Sequence, residues 1–240
     1  MQTDLPRPPG NRILAQTALA HHAAFASLFC ALVAMITVLA LDLTFLIPLL
    51  AGAQVYSPAR EFMSYLVDEK TGPLMMGVFL LVAVSAWSYA AAAYLAPARH
   101  VNKTNLMATL LFGFGLFVAA AFRAVPAAEL EVNRWLRSES WLHDIGVGIG
   151  FGPAIIAAFL DQKEVVFKCP GFLLTKFSFW CMVVGAIGMS LALLFYQGIA
   201  GLMQRVLVIG VLTWLATEAH QLFWSSIEGT PYPVLPSSDA

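Results

Sequence analysis

"PLMMGVFLLVAVSAWSYAAAAYL", residues Pro73–Leu95, is the stretch that decides the fold. It holds no charged residue and exceeds the roughly 20 residues that carry a helix across the hydrocarbon core. Its apolar character is continuous, without the alternation at every second position that a membrane barrel strand requires, so a helix is expected. Five more runs of similar character surround it: Ala23–Leu41, Thr104–Phe122, Trp141–Leu160, Phe172–Phe195 and Gly201–Trp224. The whole chain conforms. Of its 240 residues, 60% are hydrophobic and 11% charged, whereas a soluble domain carries about 25% charged residues. The expectation is an all-α protein, a polytopic bundle of six transmembrane helices over residues 23–224, with an N-terminal tail (1–22) and an irregular, Pro-rich C-terminal tail (225–240).

Composition also narrows the function classes. A formal net charge of -1 gives no reason to expect nucleic acid as a partner. Cys30, Cys169 and Cys181 are scattered without metal-ligand spacing, so they read as buried apolar cysteines. No metal site and no cofactor are expected. The first run is too long for a signal-peptide core and no small-x-small cleavage site ends it, so it reads as a retained span.

Six spans place both termini on one side. That side carries Arg7, Arg12, Arg99, Lys103, Lys163, Lys168 and Lys176, against Arg60, Lys70, Arg123, Arg134, Arg137 and Arg205 on the other. The positive-inside rule then puts both termini in the cytoplasm. On the outer side Ser57 and Pro58 open a short helix over 58–68, serine as N-cap and proline at the first helical position. Arg60 and Ser64 are four residues apart in it and share a face.

The fourth run contains Gly146/Gly150 and Gly148/Gly152, two pairs at four-residue spacing on nearly opposite faces. Small residues admit close neighbours in membranes, so this span is expected at the centre of the bundle. His143 and Asp144 sit at its outer end. Being adjacent, they point about 100° apart and do not form a dyad with each other. Two readings stand: the wetted, polar end of a packed helix, with Asp144 suited to the macrodipole, or the lining of a pocket. A haem would need paired histidines. His143 and His220 lie at opposite membrane levels, and nothing in the spacing demands a His22–His220 pair.

Glu218 is read as the one carboxylate clearly within a span, either coupling protons or reaching the inner interface near His22. The outer arginines Arg60, Arg123 and Arg205 lie at or beside span ends, where a guanidinium suits phosphate or carboxylate. The alternative is internal pairing with Asp42, Glu61, Asp68 or Asp144.

Four segments together resemble a known family. "YSPAREFMS" after the first span, "FRAVP" ending the third, "LHDIGVGIGF" opening the fourth and "GLMQRVLVIGVLTWL" opening the sixth look like a six-helix bacterial and archaeal membrane family, catalogued as domain of unknown function nine-nine-eight. The matching positions are Tyr56, Ser57, Pro58, Arg60, Ser64, Pro126, His143, Gly201, Gln204 and Arg205. Where that family commonly has an aspartate after the proline ending span three, this chain has Ala127 and Ala128, with Glu129 beyond. The resemblance implies an integral protein of the bacterial cytoplasmic (inner) membrane and no reaction.

Three functions compete. The first is non-enzymatic binding of a lipid headgroup or small anionic amphiphile in an outer-face pocket formed by Arg60, Ser64, Arg123, His143, Asp144, Gln204 and Arg205. Its partners would be membrane lipids; no protein partner is indicated. The second is a membrane-embedded hydrolase with Ser64 as nucleophile and His143 as base, which requires the two within hydrogen-bond reach. The third is a small-solute or proton-coupled transporter using Glu218 or Asp42, which requires a polar path across the bundle.

Overall fold

With no water in the bilayer to satisfy backbone amides, an apolar span must close its hydrogen bonds within itself, and the α-helix does so. The computed structural model describes residues 9–50, 72–96, 102–122, 134–164 and 171–228. In chain order these form α1 (Pro9–Leu50), α2 (Gly72–Leu95), α3 (Lys103–Ala121), α4 (Arg134–Glu164), α5 (Phe172–Phe195) and α6 (Ala200–Glu228). A single 3₁₀ turn, Gln197–Ile199, separates the last two. Six helices are long and apolar enough to cross a membrane, and no strand occurs among the described residues. The chain is an all-helical, multi-pass integral membrane protein.

Helices outrun the apolar runs that announce them. α1 spans 42 residues, about 63 Å, and continues past Leu41 through Pro48. α4 starts at Arg134, so the second half of the expected outer loop is helical. α6 continues to Glu228, beyond Trp224. Local chemistry sets α3's start: Asn102 takes an extended backbone and its side chain accepts from Thr104 N at 3.0 Å, an N-cap that satisfies one orphan amide. The short helix over 58–68 and the outermost tails, 1–8 and 229–240, lie outside the described residues.

Consecutive helices pack as neighbours, and α1 closes the ring against α6, with α2 also touching α6 across the middle. α1 and α6 meet near the termini. His21 Nδ1 donates to Ser226 Oγ at 3.0 Å, and its ring stacks on Phe223 at 4.3 Å. The N-terminal end of α1 and the C-terminal end of α6 therefore share one end of the bundle. α1 and α2 are bonded to each other where Ser85 Oγ donates to Ser27 O at 2.9 Å, and the small residues Ala24, Ala31, Ala34, Ala83 and Ala86 of the two helices are buried in the same core.

Glycine decides one further seam. A Cβ on Gly115 would come within 2.5 Å of Gly146 O and 2.6 Å of Gly150 Cα, so α3 and α4 touch backbone to backbone there. The other expected glycine pair behaves differently. Gly148 and Gly152 face open space, where a Cβ would meet nothing within 4 Å. α4 packs firmly on α3 and only lightly on α5, so it lies at the periphery. The expectation of a central fourth span is corrected: glycines on both faces permit two close neighbours but do not supply the second. The most enclosed helix is α6, whose Trp214, Leu215 and Ala219 are fully buried.

Candidate functional site

At the end of the bundle opposite His21 and Ser226, three helices bring polar side chains together. Arg205, in the second turn of α6, is 7% exposed. Its Nε donates to Asp42 Oδ1 and Oδ2 at 2.9 and 3.0 Å, its Nη2 lies 2.8 Å from Oδ1, and its Nη1 donates to Gly201 O at 3.0 Å. The planar guanidinium forks onto the carboxylate, which matches its geometry and shields both charges from the low dielectric. Asp42 thus ties α1, in its C-terminal half, to α6.

His143 departs from a wetted surface position. It is 1% exposed, with its ring edge-on to Phe79 at 5.8 Å. Nδ1 lies 2.8 Å from Ala119 O and 3.0 Å from Phe122 O, two carbonyls left open where α3 ends. Carbonyls only accept, so Nδ1 carries the proton and the imidazole caps a neighbouring helix. The tautomer leaves Nε2 as an acceptor, and that atom is buried with no partner among the described residues. Asp144, one residue on, is exposed on the other side of α4.

Gln204 reaches the same region. With Phe79, Val82, Leu116, Phe151 and Val208 it lines a narrow slot between α2, α3, α4 and α6. About 20 Å³ of it is open to the centre of a water molecule, room for about one water. Of the expected pocket residues, the structure brings Gln204 and Arg205, the latter paired with Asp42, to the end of the bundle where His143 caps α3, and leaves Asp144 exposed beside it. Arg60, Ser64 and Arg123 lie outside the described residues, as do Pro126 and Glu129.

A second polar cluster sits in the half of the bundle nearer the termini. Asp161 is 0% exposed. Its Oδ2 accepts from Tyr89 Oη at 3.0 Å and Trp214 Nε1 at 2.9 Å, and its Oδ1 from Asn105 Nδ2 at 2.6 Å. Thr109 Oγ1 extends the network to Asn105 Oδ1 at 3.2 Å. One carboxylate thereby joins α2, α3, α4 and α6. Glu218, also 0% exposed, accepts from Thr175 Oγ1 at 2.9 Å and so links α6 to α5. Both acids are fully enclosed by protein.

Two expectations are corrected here. Glu218 is not the one carboxylate within a span, since Asp161 lies in Arg137–Gln162 and Asp42 in Ile13–Thr44. It is also held by Thr175 rather than by His22, which is exposed. Ending the fourth run at Leu160, the last uncharged residue, hid Asp161. A signal for it was present. The buried positions Gly146, Gly150, Ala154 and Ala157 form a small-residue stripe at helical spacing whose next member is Asp161.

Of the other described histidines, His21 and His220 have hydrogen-bond partners close to the termini. His220 Nε2 accepts from Trp224 Nε1 at 2.8 Å on the exposed side of α6. No group of three or more metal-binding side chains occurs among the described residues. Cys30 and Cys181 are free thiols, and Cys169 is outside the described residues. No family model, curated protein or solved structure matches this chain. The likeness to the six-helix family rests on the four quoted motifs alone.

Proposed function

We propose that this membrane protein binds a lipid headgroup or small anionic amphiphile at the polar mouth where α1, α4 and α6 present Asp42, His143, Gln204 and Arg205. The observation that carries this reading is His143 Nε2, a buried acceptor on a ring whose other nitrogen is committed to the end of α3. A native protein rarely leaves such an atom unmatched without a ligand, an ordered water or a catalytic role. A headgroup hydroxyl or ammonium supplies the matching donor. Because Arg205 is held by Asp42, attraction for an anion falls to Arg60 and Arg123, and Arg205 forms a fixed wall. The protein sits in the bacterial inner membrane with both termini in the cytoplasm, so the mouth faces outward.

The apolar slot below the mouth supports binding over transport. Leu116, Phe151, Val208 and Val211 line it between the mouth and the level of Asp161 and Glu218, an apolar stretch that favours binding at the mouth. A hydrolytic reading draws on the same Nε2, which a general base must leave free; it requires Ser64 within hydrogen-bond reach.

His143→Asn tests the proposal. Asparagine reproduces the Nδ1 donor and lacks the Nε2 acceptor. The variant is expected to keep its melting temperature in mild detergent while losing about tenfold or more of the co-purifying lipid seen by mass spectrometry. Unchanged lipid content would sink the binding reading. Loss of an esterase activity sensitive to both Ser64→Ala and His143→Asn would move the assignment to the hydrolase. Cysteines at Ser64 and His143, in a background without Cys30, Cys169 and Cys181, report by short-reagent crosslinking whether the two positions meet.

A further inference from the structure

A separate groove lies at the other end of the bundle, on the outer surface of the α3–α4 pair. The two helices are pinned together at Gly115 against Gly146 and Gly150, and again at Asn105, whose amide donates to Asp161. Between these two pins their outer faces part. Lys103, Thr104, Met107 and Leu111 from α3 and Pro153 and Ile156 from α4 line this shallow, open groove of about 400 Å³. Met107, Leu111 and Ile156 are exposed and lie in membrane-spanning segments, so lipid is what surrounds them. Lys103 stands at the rim, on the first residue of α3, where its charge adds to the positive end of the helix dipole.

We propose that this groove holds one anionic phospholipid of the leaflet on the side of the termini, with an acyl chain along Met107, Leu111 and Ile156 and the headgroup phosphate at Lys103. The charge selects the class: an ammonium beside a helix N-terminus favours a lipid with net negative charge over a zwitterionic one. The apolar floor running from the rim toward the Gly115 crossing suits a chain and excludes a soluble anion. This site is independent of the mouth around His143, which lies at the opposite end.

The test uses the full-length protein in bilayers of phosphatidylcholine doped with a phosphatidylglycerol bearing a photoreactive acyl chain. Irradiation is expected to place adducts on Met107, Leu111 or Ile156, mapped by peptide mass spectrometry. Lys103→Gln should reduce the yield about fivefold, Lys103→Arg should retain it, and Ile156→Trp, which fills the groove, should abolish it. A phosphatidylcholine carrying the same photoreactive chain should label weakly. Equal labelling by both headgroups, or full labelling of Lys103→Gln, would overturn the anionic site and leave only a lipid-facing surface. Adducts confined to other helices would remove the groove altogether. Lys103 and Ile156 are exposed, so neither variant threatens folding, and a thermal melt of each verifies this.

Discussion

His143 shows how much one residue's meaning depends on its two ends. Its Nδ1 has a structural task, closing carbonyls where α3 stops, and its Nε2 has none among the described residues. Asp161 is the opposite case, an acid with three donors arranged around it. Asp161→Ala strands those donors in a dry interior and is expected to destabilise the protein by about 3 kcal/mol or more. Thermal unfolding in detergent measures it, and a melt equal to wild type would refute the network's role. Asp42→Ala leaves the Arg205 guanidinium buried without its carboxylate, with an expected loss of about 3–5 kcal/mol. The double variant lacking both partners should recover part of that loss. His143 and Arg205 were legible as candidates from their place at span ends, and Asp42 stood among the acids expected to pair with the arginines; which acid Arg205 takes, 163 residues away in sequence, only the packed bundle decides.

At the scale of elements, glycine spacing proved half informative. The pairs Gly146/Gly150 and Gly148/Gly152 have identical patterns, yet only the first meets a neighbour. Gly115→Ala is expected to force α3 from α4, with an overpacking cost of about 1–3 kcal/mol. Gly148→Leu should leave the melting temperature near wild type, since open space receives the side chain. Equal melts for the two variants would show that the α3–α4 seam does not depend on backbone contact. The sequence announces that a helix can accept a partner and not which side receives one. That choice depends on the tilt and rotation of all six helices together.

Across the whole molecule the ring of helices sorts polar groups into two levels with an apolar layer between them. One level holds Asp42, Arg205, Gln204 and His143; the other holds Asp161, Asn105 and Glu218. In the proposed orientation the level of Asp161 and Glu218, nearer the termini, is the cytoplasmic one. Reporter fusions after His100 and after Lys163 are expected to remain cytoplasmic, and fusions after Asp68 and after Glu139 to be exported. The reverse pattern would invert the mouth and the lipid groove together.

Number and helical nature of the spans were determined by the sequence alone. Twenty apolar residues in a bilayer have one way to satisfy their backbone, and that constraint is local. Chain connectivity then put the ends of α1, α3, α4 and α6 at known levels, which is why His143 and Arg205 could be grouped before their surroundings were seen. Only the tertiary structure decided what each polar side chain meets. A carboxylate at the end of an apolar run reads as interfacial until neighbours bury it, and Asp161 was so masked because its three donors come from Tyr89, Asn105 and Trp214 on three other helices. Burial and hydrogen bonding are properties of the packed bundle, since in lipid a helix's polar face is resolved by its partners rather than by water.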